Sequence, residues 1–189
     1  RHHDAVQMEG VSMDGSFRLL EEINKAEAGD TKAMRRVAYY LLYENNMEDL
    51  EPEIAERCLR YLRDAISAGD PDAMMDLGGM YITGRGVPKS RADALYWYGK
   101  AAELQQPLAF NRIAQVYLYD EDTEALGYLP ATEDPGRLQK AFEYFQKGAD
   151  LGDVGCMNEL GIMYMKGECT EADEEKGFHW FTKAYNSYT

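Results

Sequence analysis

The chain is short of histidine, cysteine and basic charge, and each shortage removes a class of function. Three histidines are present. Two of them, His2 and His3, lie in Arg1–Asp4, which reads as the remnant of a purification tag. That leaves His179 as the one usable imidazole, and no Ser-His-Asp or Cys-His arrangement can be argued around it from the sequence. Three cysteines, an odd number, set no disulfide framework and suit a reducing compartment. The cytoplasm is the expected location, with a removed signal peptide left open. Lys and Arg total 20 against 34 Asp and Glu, a net charge of −14. Nucleic acid and anionic membranes both need basic patches, so neither is an expected partner. No apolar run reaches the roughly 18 residues of a membrane span, and no apolar segment marks a signal peptide near residue 1. A phosphate-binding loop is missing too. The sequence "GRGV" at Gly84–Val87 is followed by Pro88 and Lys89 instead of Lys-Ser/Thr. No metal-ligand spacing occurs, and no cofactor is expected.

What is present is a repeat. "AGDTKAM" starts at Ala28, "AGDPDAM" at Ala68, "LQQPLAF" at Leu104 and "LGDVGCM" at Leu151. Aligned from these starts, Ala38, Gly78, Ala114 and Gly161 share a position. A helix-interior glycine costs about 1 kcal/mol relative to alanine, so a position kept small in four copies marks a close helix crossing. Gly79, next to Gly78, aligns with Tyr39, Gln115 and Ile162 and lies outside that rule. Each copy carries a second helical stretch with its own small position (Cys58, Ala94, Ala141, Gly177). Aromatic and apolar columns follow it: Tyr61, Trp97, Tyr144, Trp180, then Leu62, Tyr98, Phe145, Phe181. Each unit is therefore helix A, loop, helix B. Asp70 before Pro71 and Asp134 before Pro135 predict N-caps, as do Asp30 and Asp153. With a leading helix from Phe17, the pattern predicts nine helices and no strand. Such units stabilise one another only by stacking. Cys58 and Cys156 fall in small columns and are expected to be buried, while Cys169 falls in a loop. Met34, Met74 and Met157 share a column expected to fill the core.

The second copy, "AMMDLGGMYITGRGVPKSRADALYWYGKAAE" (Ala73–Glu103), resembles the Sel-one-like repeat, a relative of the tetratricopeptide repeat. Leu77, Gly78, Tyr81, Gly84, Gly86, Val87, Ala94, Trp97, Tyr98, Lys100, Ala101 and Ala102 carry the likeness. The fourth copy repeats it with Leu160, Gly161, Tyr164, Gly167, Gly177, Trp180, Phe181, Lys183 and Ala184. The first and third copies lack the loop glycines, and the third has an insertion near Asp120–Glu133. The resemblance implies an all-α, right-handed α-solenoid of four repeats plus a leading helix. The expected layout is a tag remnant and N-terminus over 1–16, then one solenoid over 17–189 with repeats near 28–67, 68–103, 104–150 and 151–189. It implies a non-enzymatic scaffold that binds a protein or peptide and assists assembly of a complex. Alternatives are an enzyme or small-molecule binder, by analogy with cysteine-rich relatives linked to β-lactams, and a self-associating structural protein.

In such solenoids the A helices line the concave face. Residues one step off the packing columns are then the expected peptide contacts: Arg35, Tyr39, Tyr43, Met75, Gly79, Asn111, Gln115, Tyr119, Asn158 and Ile162, with Leu42, Ile82, Leu118 and Met165 beside them. Amides can bond a peptide backbone, tyrosines supply contact area at low entropy cost, and Gly79 leaves room on the floor. The loops at 44–53, 120–134 and 168–175 are acidic, whereas the second loop carries Arg85, Lys89 and Arg91. Solubility explains an acidic edge. A partner with a basic segment is the other reading.

Overall fold

The computed structural model describes residues 13–44, 50–119 and 135–189. Among these residues the elements are helices: α1 (Met13–Glu27), α2 (Thr31–Tyr39) running on into a π-helical turn Tyr40–Glu44, α3 (Pro52–Ser67), α4 (Pro71–Thr83), α5 (Arg91–Glu103), α6 (Pro107–Leu118), α7 (Pro135–Asp150), α8 (Val154–Lys166) and α9 (Glu174–Asn186). This is the expected all-α helical repeat, one leading helix and four A–B pairs. The chain divides into two compact units, one through Lys89 and one from Ser90. The repeat starts do not mark that boundary, which falls in the loop of the second copy. In the first unit α1, α2, α3 and α4 pack in sequence order. In the second α5 to α9 do the same.

The helix starts follow from side-chain capping. The Asp30 carboxylate accepts from the Ala33 N–H (3.0 Å), Asp70 from Asp72 (2.9 Å) and Asp153 from Cys156 (2.8 Å). Gln106 takes this place in the third copy, accepting from Leu108 N–H at 2.9 Å. Asp134, the other expected cap, lies outside the described residues. The turn before each A helix needs a left-handed residue. Gly29, Gly69 and Gly152 supply it with φ of 100°, 85° and 94°, and the third copy uses Gln105 at 59°.

The small columns are where helices meet. Ala38, Gly78, Ala114 and Gly161 are all buried, as are Cys58, Ala94, Ala141 and Gly177. The columns touch within a repeat: the Cys58 Sγ lies 3.7 Å from the Ala38 carbonyl, and a Cβ on Gly177 would stand 3.2 Å from that of Gly161. A Cβ on Gly161 would stand 2.5 Å from the Phe181 ring, closer than side chains pack. A second close crossing joins helix B of one repeat to helix A of the next. Ala65 and Ala73 hold its register in the first unit, and Ala101 and Ala109 in the second, all fully buried. At the third crossing the pair is Gly148 and Cys156, and a Cβ on Gly148 would stand 2.4 Å from the Cys156 Sγ. Where helix A has gained a sulfur, helix B has lost a methyl.

The A helices end in two ways. α4 and α8 close on left-handed Gly84 (φ 67°) and Gly167 (φ 74°), whose N–H groups return to the Met80 and Met163 carbonyls. The first and third copies lack that glycine, and arginines from other elements bond their terminal carbonyls instead. Arg85 donates to the Leu42 carbonyl in the π-helical turn. Arg91, at the start of α5, donates to Val116 O, and Arg137, on α7, donates to Tyr119 O. These groups are among the four carbonyls that every helix leaves without an intrahelical donor. The basic stretch of the second loop is thus not an open basic patch: Arg85 and Arg91 serve neighbouring helices.

The crossing argument yields a test by urea denaturation. Gly148→Ala should cost about 1–3 kcal/mol through overpacking against a sulfur that cannot swing to solvent. Gly148→Ala with Cys156→Ala recreates the Ala–Ala pair of the other crossings and should recover most of that loss, a clear departure from additivity. Gly99 on α5 has nothing within 4 Å of a built Cβ, so Gly99→Ala should gain about 0.5–1 kcal/mol from helix propensity. Additive losses in the double variant would mean the two positions do not meet.

Candidate functional site

In the first unit α2 presents Arg35, Tyr39 and Tyr43, spaced four residues apart on one side. Arg35 is committed to α4. Its Nε lies 2.7 Å from Asp76 Oδ2, and its Nη1 lies 3.4 Å from Asp72 Oδ2. Burial pushes the Asp76 carboxyl above its usual range, and the Arg35 hydrogen bond pulls in the opposite direction. One turn beyond Tyr39, burial raises the Tyr43 pKa, with the Thr83 side chain acting the other way. Gly79, half-buried, follows Asp76 by three residues on α4. Tyr39 and Tyr43 remain open, 57% and 44% exposed, with ring centroids 5.0 Å apart. The face is a tyrosine pair beside a position without a side chain, with an Arg–Asp bridge at one end. Leu42 and Met75, expected near it, are buried and face away from solvent.

The second unit treats the same columns differently. Asn111 is 5% exposed. Its Nδ2 donates to Asp153 Oδ2 (2.8 Å), and its Oδ1 accepts from Gln115 Nε2 (2.8 Å). The amide sits where a Cβ on Gly155 would be, 2.4 Å away. Asn111 therefore ties α6 to the capped start of α8, and is not open to a peptide backbone. Gln115 is half-buried, taken up by Asn111 and by Arg112 Nη1 at 3.4 Å. Tyr119 packs against the core of the unit, beside Tyr117 and Phe142, and Leu118 is buried. A Cβ on Gly177 would stand 2.6 Å from the Met165 Sδ, so that side chain lies along α9. Asn158, half-buried, and Ile162, exposed, remain on the surface of α8.

One column thus does a job the sequence did not announce. Arg35 and Asn111 occupy the same repeat position, and each binds an aspartate of the next A helix in its own unit. The signal was available for Arg35: carboxylates at Asp72 and Asp76, one turn apart, lie one repeat downstream of it.

Among the described residues no group of three or more His, Cys, Asp or Glu could hold a metal ion. No helix there is long and apolar enough to cross a membrane. His179 lies edge-on to Trp180, ring centroids 5.5 Å apart.

The model of the Sel1 repeat matches residues 31–70, 71–105, 125–153 and 154–187, together more than half of the chain. The chain belongs to the Sel1 repeat family. Three of the four matches open at the first residue of helix A, three residues after the repeat starts at Ala28, Ala68 and Leu151. The third match omits α6. The chain is 30% identical over 141 residues to "Activator of C kinase protein 1" of Saccharomyces cerevisiae, covering 69% of this chain and 22% of that protein. It is 30% identical over 106 residues to "ERAD-associated E3 ubiquitin-protein ligase component HRD3B" of Arabidopsis thaliana, covering 56% of this chain and 15% of that one. It therefore spans less than a quarter of either relative. Among solved structures it is similar to c5321, a protective antigen of uropathogenic Escherichia coli with the same repeat fold (TM-score 0.66, 25% identity, 90% of this chain and 33% of that one). A Sel1 repeat protein from Oxalobacter formigenes shares the fold at TM-score 0.62 and 23% identity, over 86% of this chain and 60% of that one. Sel1 repeat proteins commonly act in protein–protein interaction.

The three cysteines are free. Burial pushes the Cys58 thiol up to about 11. Burial, then Asp153, pushes Cys156 up further, and Cys169 is raised by burial and by Glu168. A raised pKa means little thiolate near pH 8 and slow alkylation. Iodoacetamide should therefore modify only the exposed Cys169 in the native protein, faster as pH rises, and reach Cys58 and Cys156 only in denaturant. Peptide mapping after alkylation reads this out. The melting temperature should be the same with and without reductant.

Proposed function

We propose that this chain is a non-enzymatic scaffold or adaptor module that binds a protein or peptide through the A-helix face of its first unit and so assists assembly of a complex. The observation that carries this reading is the exposed Tyr39–Tyr43 pair. The two rings stand 5.0 Å apart, within about two helical turns of Arg35 and its bridge to Asp76. Tyrosine offers large amphipathic area with few rotatable bonds, the usual chemistry of a contact hot spot. Gly79 beside them leaves room for a partner side chain, and the Arg35–Asp76 bridge offers polar contacts at the edge. Asn158 and Ile162 are the corresponding open positions of the second unit. The names of the two curated relatives point the same way, since one is an activator of a kinase and the other a component of a ligase.

The acidic loops expected to attract a basic segment lie mostly outside the described residues. At a net charge of −14, they act on the approach of a basic partner more than on the lifetime of its complex.

The test is affinity capture from cells of the source organism with three baits: wild type, Tyr39→Ala with Tyr43→Ala, and Tyr96→Ala. Tyr96 is an exposed tyrosine on α5, in the other unit. Proteins retained by wild type and by the Tyr96 variant should fall at least about tenfold with the double variant, the scale of losing hot-spot contacts. The melting temperature should hold within about 3 °C, because neither ring is buried. Equal retention by all three baits would overturn the proposal.

A further inference from the structure

The first unit holds a bridge that the second keeps only in half. On α4, Asp76 accepts from Arg35 of α2 at both oxygens, from Nε at 2.7 Å and from Nη2 at 3.3 Å. The same guanidinium reaches Asp72 one turn earlier, 3.4 Å from its Nη1. In the second unit α6 and α8 take the places of α2 and α4. Asn111 stands at the position of Arg35, Gly155 at that of Asp72 and Glu159 at that of Asp76. Two of the three parts differ, and they fit each other. The Asn111 amide fills the space that a Cβ on Gly155 would take, 2.4 Å away, and donates to Asp153. The carboxylate of the third part is kept, and its cation is gone.

Glu159 is half-buried one turn beyond Gly155, on the side of α8 that meets Asn111. Among the described residues no hydrogen bond or ion pair reaches it. Burial raises its pKa first, Glu168 raises it further, and Lys166 acts the other way. That lysine is exposed and lies 3.9 Å from Glu168. The side-chain donors of α6 run away from Glu159: Arg112 to Gln115 (3.4 Å), Gln115 to Asn111 (2.8 Å) and Asn111 to Asp153 (2.8 Å). A carboxylate that has lost water without gaining a donor favours an incoming cation. Ile162, three residues on along the same face, is exposed.

We propose that Glu159 receives the guanidinium of an arginine outside these 189 residues, remaking in the second unit the bridge that Arg35 and Asp76 form in the first, with an apolar neighbour of that arginine on Ile162. The template bridge is two-pronged, a geometry that a guanidinium has and an ammonium lacks. The chain itself supplies no such group. No described Lys or Arg pairs with Glu159, and outside the described residues the one Lys or Arg is Arg1. The site lies between two A helices of one unit, so it does not depend on where the sequence begins or ends. Another protein and a further stretch of the same protein present the same guanidinium, and the experiment tells the two apart. The proposal does not rest on the Tyr39–Tyr43 reading.

The probe is a phage library of short linear peptides selected on the full 189-residue chain and then sorted by binding to Glu159→Gln. Peptides that Glu159→Gln loses should carry an arginine next to an apolar residue. Synthetic copies should bind that variant at least about tenfold more weakly, and lose as much when citrulline replaces the arginine. Arg112→Ala, and Tyr39→Ala with Tyr43→Ala, should leave their affinity unchanged. In the free protein Glu159→Gln should melt no lower than wild type, whereas Asp76→Asn, which breaks an existing bridge, should melt lower. A photo-crosslinking residue at Ile162, in the protein as expressed in its source cells, then identifies the carrier. A crosslink to a second polypeptide assigns the arginine to another protein, and one mapped within the same polypeptide assigns it to a further stretch of this one. Either crosslink should be lost with Glu159→Gln. A fall in melting temperature for Glu159→Gln would overturn the proposal, because the carboxylate would already have a partner within the chain. So would a selection in which no arginine-bearing peptide distinguishes Glu159→Gln from wild type, or crosslinks that persist in that variant.

Discussion

The close approach of one helix backbone to the next is the constraint on which the rest depends. A helix pair of about 13 residues each has too little apolar area to fold alone, so stability comes from stacking, and stacking requires small residues at fixed positions. Two kinds of such position exist. Within the first and fourth repeats, the Ala or Gly of helix A meets the small residue of helix B. Between repeats, a second small pair meets across the following turn. The third crossing shows how strict this is. Cys156 brings one atom more than Ala73 or Ala109, and Gly148 brings one fewer than Ala65 or Ala101. The sum of the pair is kept while its parts change. The large side chains, from Tyr61 and Leu62 in the first unit to Phe145 and Leu160 in the second, fill the space these contacts define.

Helix ends show a similar exchange of parts. A left-handed glycine closes α4 and α8 at no steric cost. The other two A helices lack that glycine, and arginines from outside the helix take over its carbonyls. The consequence for function is direct. Arg85 and Arg91 read from the sequence as a basic gap in an acidic edge, yet their guanidinium groups are spent on carbonyls of the fold. Individual charges in the sequence were thus no guide to which of them stay open on the surface.

Much of the fold was legible because helix formation leaves periodic marks. Caps at Asp30, Asp70 and Asp153, the glycines at 84 and 167, and the two small columns were all readable from residue type and spacing. The candidate surface was less so. Spacing shows that Arg35, Met75, Asn111 and Asn158 share one side of their helices. It does not show whether that side opens to solvent or lies against the next A helix. Asn111 and Arg35 turn out to be links between successive A helices, and Tyr119 a packing residue, because in a stack of repeats a side chain's fate depends on a residue some 40 positions away. Tyr39 and Tyr43 stay exposed, while Arg35 on the same helix ties α2 to Asp76 of α4.

At the proposed Tyr39–Tyr43 surface exposed aromatic rings stand on the same side as a held carboxylate. Asp76 is bridged by Arg35, so a partner there would gain mainly ring contacts and would compete with an existing bridge for the charge. Exposed ion pairs contribute at most about 1 kcal/mol each, whereas burying an aromatic side chain contributes about 1.5–3 kcal/mol. On the proposed reading the rings would therefore set affinity, and the acidic field of the molecule would select what approaches by repelling acidic competitors at a distance.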